Sequence, residues 1–164
     1  MYRRLFYIGS FLLVLLAGSC SKESLEAAPI AHAPNNPVME QEMMGLVNDH
    51  RVSLGYAPLA YSAVAYEYAS EHTDYMIAKG SLSHDNFSAR ASSISREVDA
   101  EYVAENVAKD YTEVQQAFQS WLNSPSHRKT MEGEFTHTAV SVKIDASGNY
   151  YYTELFFRQA SASQ

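Results

Sequence analysis

Two histidines and one glutamate are the residues of this chain that could do chemistry together. His84 lies in Ser83-His84-Asp85, Glu105 in Ala104-Glu105-Asn106, and His127 in Ser124-Pro125-Ser126-His127-Arg128. Each is more than twenty residues from the next, so only a folded domain can bring them together. Two neutral imidazoles and a carboxylate form a nitrogen and oxygen donor set of the kind zinc accepts, and three protein ligands leave a fourth position for water. Water on such an ion loses a proton easily, which is the basis of metal-assisted hydrolysis. The same three groups can instead hydrogen-bond one another and shape a cleft. No two histidines show the His-Glu-x-x-His helix spacing of metalloproteases, so spacing alone gives hydrolysis little support. A serine nucleophile has less: Ser83, Ser124 and Ser126 neighbour histidines in sequence, yet such neighbours do not face each other on a helix, and no Gly-x-Ser-x-Gly elbow is present.

The elements that must hold these residues can be read from caps and periods. Asn36-Pro37 is a cap followed by proline, after which Met39, Met43, Leu46, Val47, His50 and Leu54 form one helical stripe that ends at Gly55. Ser62 caps a second helix with Ala65, Tyr68, Ala69, His72 and Met76 on its apolar face and Gly80 as its stop. His72 is thereby expected in the core rather than in a ligand set. A polar helix over 87–98 is weakened as a prediction by the run Ser92-Ser93-Ile94-Ser95. From Tyr102 to Ala108 the pattern alternates, with Val103, Glu105 and Val107 on one side of a short extended segment. A carboxylate among valines must be paired, hydrogen-bonded or protonated.

Thr112 and Gln115 have capping-box spacing before a stripe of Val114, Ala117, Phe118, Trp121 and Leu122, with Trp121 as the expected core anchor. Ser124-Pro125 then starts one more short helix with His127 in its first turn. Finally, Thr138–Ile144, the turn at 145–149 and Tyr150–Arg158 read as an antiparallel hairpin. Helices first and a hairpin last predict an α+β fold: a three-layer α/β/α sandwich whose small, mainly antiparallel sheet is covered by helices.

With 164 residues and 46% apolar composition, the chain fits one globular domain. Arg3-Arg4 and the apolar run Leu5–Gly18, too short to span a bilayer, read as an export signal over 1–19. Leu16-Ala17-Gly18-Ser19-Cys20 resembles the lipobox of bacterial lipoproteins, which would make Cys20 the lipidated first residue. Cleavage by an ordinary signal peptidase and an uncleaved anchor are the alternatives. Residues 20–36, rich in Ser, Ala, Pro and Asn, read as a flexible tether, and 37–160 as the domain. The single cysteine leaves the domain without a disulfide. Loss of Arg3 and Arg4 moves the net charge from −7 to about −9, a balance that argues against a nucleic-acid partner.

The order of Asn48-x-x-Arg51, Gly55, Pro58-Leu59, His72, Ser83-His84, Glu105-Asn106, Trp121 and Ser124-Pro125-Ser126-His127-Arg128 resembles the bacterial branch of the CAP superfamily. That group takes in cysteine-rich secretory proteins, insect venom antigen 5 and plant pathogenesis-related proteins. The resemblance runs over about residues 39–158 and implies an α/β/α sandwich with a cleft lined by two histidines and acidic residues, in some members holding a divalent metal. Carried over, His84, Glu105 and His127 are the cleft residues and the candidate ligands of zinc or another divalent cation. Eukaryotic relatives place a second glutamate soon after the tryptophan, where this chain has Leu122-Asn123-Ser124, and the glycine expected before Glu105 is Ala104. His137 precedes the last hairpin and is expected to serve structure. The function so implied is that of an exported, lipid-anchored domain in the cell envelope, facing the periplasm or the surface. It would bind an apolar or lipid-like ligand or an envelope protein. The alternatives are a divalent-metal-dependent envelope hydrolase and a structural or adhesive protein.

Overall fold

The helix starts follow their cap chemistry. In the computed structural model, which describes residues 30–160, the Oδ1 of Asn36 accepts from the Met39 N–H at 3.2 Å, and α1 runs Pro37–Ser53. Ser62 caps α2 (Ala63–Lys79) through the Ala65 N–H, and Gly80, with φ +73°, closes it in the left-handed conformation that glycine adopts without strain. The expected signal segment, Cys20 and the tether as far as residue 29 lie outside the described residues. Among those described, no helix is long and apolar enough to cross a membrane.

Four strands follow or separate the helices: β1 (Ala60–Tyr61), β2 (Ala100–Lys109), β3 (His137–Ile144) and β4 (Tyr150–Gln159). They form one sheet in the order β1-β3-β4-β2, antiparallel except for the β1–β3 pair. The remaining helices are α3 (Phe87–Val98), α4 (Val114–Asn123) and α5 (Pro125–Met131). On one face of the sheet, Val140, Val142, Tyr152 and Phe156 pack against Met39, Met43 and Val47 of α1, Phe118 and Trp121 of α4, and Met131 of α5. On the other, Ala139, Leu155 and Phe157 meet Ala65 and Ala69 of α2 and Ile94 of α3. These are the three layers of the α+β sandwich that the sequence predicts.

Some local expectations need correction. Leu54, placed on the buried stripe of α1, is half exposed; the stripe's last buried member is Arg51, because α1 ends at Ser53 and the chain turns away. The capping box does not form: α4 begins at Val114 with Glu113 in the cap position and no side-chain capping bond. The serine-rich run is helical after all. Ile94 alone is fully buried from α3, the Ser92 hydroxyl bonds back to the Ser88 carbonyl, and Asn86 and Asp99 take left-handed φ at its two ends.

The last residues of the expected tether are fixed on the domain. The Ala33 N–H and the His32 Nδ1–H both donate to the Asp74 carboxylate (2.9 and 2.7 Å), and the Asn36 N–H donates to the Val142 carbonyl at 2.8 Å. Asp74 is buried and also holds the buried Lys143 ammonium at 2.6 Å, so this strap closes over an ion pair that spans α2 and β3.

Candidate functional site

Glu105 sits near the middle of β2, an edge strand, with Val103 and Val107 on the same face. That face turns toward α2 and α3, and the Glu105 side chain is 1% exposed. A carboxylate there needs partners, and α3 supplies the main one. Arg90 donates to Oε2 from Nε at 3.0 Å and from a terminal nitrogen at 2.7 Å, a two-pronged charge-assisted contact. His84 donates from Nδ1 to Oε1 at 2.8 Å. Both carboxylate oxygens are therefore engaged.

The loop that presents His84 is anchored from three sides. Arg90 donates to the Asp85 carbonyl at 2.8 Å, His72 Nε2 donates to the Ser83 carbonyl at 2.6 Å, and Asp85 receives the Tyr75 hydroxyl at 2.7 Å together with the Lys79 ammonium. With Nδ1 committed to Glu105, Nε2 is the remaining ring nitrogen of His84, and the side chain is 53% exposed. His72 is the buried core histidine that the helical stripe predicts, its ring stacked on Tyr75 at 5.8 Å. It also stands 3.7 Å from Glu105 Oε1. Burial drives its pKa below the ordinary histidine value, against the pull of Glu105, so it is a neutral hydrogen-bond donor here.

His127 reaches the site from the opposite layer. Successive strand residues point to opposite faces, so Asn106 faces α5 while Glu105 faces α3. Asn106 Nδ2 donates to the His127 carbonyl at 3.1 Å, which ties the first turn of α5 to the strand. Burial, and then the positive charge that His84 would carry, push the His127 pKa down, so its imidazole is held neutral. Beside it, a shallow cavity of about 260 Å³ is lined by Leu82, Val107, Ala108, Tyr111, Trp121 and His127, with Lys109, Ser120 and Ser124 among its polar groups. Trp121 is a buried anchor, as expected, with its Nε1–H on the Val107 carbonyl at 3.0 Å, and it also forms one wall of that cavity.

The donor set does not fit a divalent cation. Glu105 is shared between a guanidinium and an imidazole, His127 approaches from the other face, and among the described residues no three His, Cys, Asp or Glu side chains gather as metal ligands. The position of the second glutamate in eukaryotic relatives is occupied by exposed Asn123 and by Ser124, whose hydroxyl lies 3.2 Å from that of Ser126. Among the described residues, no serine hydroxyl bonds a histidine side chain. His137 stays away from the cleft, stacked on Phe157 at 4.8 Å at the start of β3.

Three residues that the sequence reading left without a role organise this site. Arg90 had one available signal: a buried glutamate demands a cation, and Arg90 and Arg96 are the only ones between His84 and Glu105. Arg51 donates to the carbonyls of Ala57, Met131 and Gly133, fixing the chain on either side of the cleft helices. Asn48 exchanges two hydrogen bonds with the backbone of Leu59, at 3.1 and 2.7 Å, so the Asn48-x-x-Arg51 pair of α1 ties down the chain on both sides of Pro58.

Comparison with known proteins agrees with this fold. The model of the cysteine-rich secretory protein family, CAP, matches residues 44–156. A membrane protein of Bacillus subtilis described as uncharacterized is 30% identical over 126 residues, covering 73% of this chain and 34% of its own length. The chain thus spans about a third of that relative. An outer surface protein from Borrelia burgdorferi superposes with TM-score 0.69 at 15% identity, over 78% of this chain and 99% of the other. A cysteine-rich secretory protein from Staphylococcus aureus gives TM-score 0.65 at 20% identity, over 80% of this chain and 40% of the other. An extracellular protein containing an SCP domain from Bacillus anthracis gives TM-score 0.65 at 26% identity, over 75% and 41%. With most of the sequence inside the family match and the three-layer fold shared with these structures, the chain belongs to the CAP family of cysteine-rich secretory proteins.

Proposed function

We propose that this is an extracytoplasmic CAP domain, lipid-anchored through Cys20, that binds an apolar ligand bearing a polar head. The observation that carries the reading is the internal saturation of Glu105. Arg90 neutralises the carboxylate and His84 completes its hydrogen bonding, so the cleft has a rigid, preorganised polar wall and no free acid for catalysis or metal binding. The exposed ring of His84 and the neutral imidazole of His127 can hydrogen-bond a polar head, while Leu82, Val107, Tyr111 and Trp121 beside His127 offer apolar contact. The similarity to an extracellular SCP-domain protein of Bacillus anthracis supports a location outside the cytoplasm.

The test is mass spectrometry of the lipid fraction that stays with the intact protein when it is purified from membranes. A retained amphiphile that is lost from His127→Leu but kept by Thr112→Ala supports the reading. An empty wild-type cleft, combined with no binding of medium-chain fatty acids in titration, overturns it.

A further inference from the structure

Beneath the cleft, the face of the sheet that packs on α1, α4 and α5 carries a polar pair with no evident use. Asn106 of β2 and Glu154 of β4 are register partners, so both side chains project from the same face with their Cβ atoms roughly 5 Å apart. Both residues are fully buried. Each has one oxygen without a hydrogen-bond partner: Oδ1 of Asn106 and Oε2 of Glu154. Two orphaned acceptors side by side are rare in a native core, because burial of an unpaired polar atom is costly.

The direction of the Asn106 amide is fixed independently. The His127 carbonyl can only accept, so Nδ2 must face it and Oδ1 must face elsewhere, in need of a donor. Glu154 Oε1 already receives the Thr138 hydroxyl at 3.0 Å. Two acceptors cannot satisfy each other unless one carries a proton, and of the two only the carboxyl can. We propose that Glu154 is held as a neutral carboxylic acid whose Oε2–H donates to Asn106 Oδ1, making Glu154 the residue that positions His127 through the Asn106 amide.

The surroundings favour the neutral form. Burial pushes the Glu154 carboxyl up to about 8, against the opposing pull of Thr138 and Arg51. From α1 the facing charge is Arg51, whose bonds go to the carbonyls of Ala57, Met131 and Gly133. From α5 comes His127, whose own charge is disfavoured by burial, and α4 has no titratable side chain. On the sheet, Thr138 is neutral, and Tyr152, two residues along β4, is pushed well above the usual phenol value by burial. Ionised Glu154 would face the lone pairs of Asn106 Oδ1. The amide would then turn its NH2 toward the carboxylate and release the His127 carbonyl.

The inference builds on His127 as a cleft residue, but its test needs no ligand. Carbon-detected NMR of the intact protein from pH 6 to 9.5 would follow the Glu154 carboxyl, identified by its absence in Glu154→Gln, together with the Asn106 amide and the His127 ring. The carboxyl is expected to titrate near pH 8, with the Asn106 and His127 signals moving at the same midpoint. In Glu154→Gln, whose amide donates at every pH, those signals should hold their neutral-pH positions. A Glu154 carboxyl already ionised at pH 6, or Asn106 and His127 signals indifferent to its titration, would overturn the proposal. Sequence-specific assignment through the Glu154 backbone identifies the carboxyl even if the glutamine variant does not fold, so the wild-type titration decides this.

Discussion

Arg90→Leu is the perturbation that bears most heavily on the account of the cleft. The variant removes the guanidinium while keeping an apolar side chain on α3, so the helix itself is not broken. Glu105, at 1% side-chain exposure, then loses both bonds to Oε2, at 3.0 and 2.7 Å, and keeps only His84 on Oε1. Removal of one partner from a buried ion pair costs about 3–5 kcal/mol. Because His84 remains and the Arg90 side chain is 11% exposed, the expected loss is nearer 2–4 kcal/mol. With a urea slope of about 2 kcal/mol per molar, the unfolding midpoint should fall by about 1–2 M. The double variant Arg90→Leu/Glu105→Leu should recover most of that loss, since neither charge is left buried alone. A midpoint that moves by less than about 0.3 M, or a double variant no more stable than the single one, would refute the claim that Arg90 is the resident counter-charge of Glu105.

Further outcomes follow from other parts of the structure. Stability should fall as pH rises through the window from the ordinary carboxylate range to about 8, because native Glu154 keeps a proton there that the unfolded chain has released. The slope attributable to this residue, roughly 1.4 kcal/mol per pH unit at most, should vanish in Glu154→Gln and level off above the window in the wild type. Burial has the opposite sign for His127: its charge is disfavoured in the native state, so acidification below the ordinary histidine value should destabilise the wild type more than His127→Gln, as read by thermal melts against pH. Lys143→Met should cost about 3–5 kcal/mol in chemical denaturation, since it strands the buried Asp74 carboxylate with only the His32 and Ala33 contacts of the strap. Trp121→Phe keeps most of the packing but orphans the Val107 carbonyl, for a loss of about 1–3 kcal/mol by the same measurement.

The parts of this architecture that are set by neighbours in sequence were readable in advance. Asn36-Pro37, Ser62 and Gly80 act locally, through one hydrogen bond or one φ angle, and α1 begins, and α2 begins and ends, where those residues place them. The hairpin declared itself through a change of period. Contacts made across layers were not readable in the same way. Arg90 meets Glu105 only because α3 crosses β2, and α3 itself was weak in the sequence because a single isoleucine fixes its buried face. Two-residue β1 has no pattern to detect; it exists because its backbone completes the parallel edge of β3. The candidate site was legible as a list of residues but not as an arrangement. Glu105 and Asn106 are adjacent in the chain and serve opposite faces of the sheet, so His84 and His127 answer to different strand residues rather than to one shared carboxylate. A resemblance in motif order carries no information on that point.

The same arrangement separates a binding cleft from a metal centre. If Glu105 is already satisfied by Arg90 and His84, an added cation must displace a guanidinium and recruit His127 from the far side of β2. Calorimetric titration of the intact protein with zinc, paired with elemental analysis of the protein as purified, measures this directly. The account predicts no stoichiometric metal in the purified protein and no saturable zinc uptake that depends on His84 and His127. One zinc per chain, lost together in His84→Ala and His127→Ala, would contradict it.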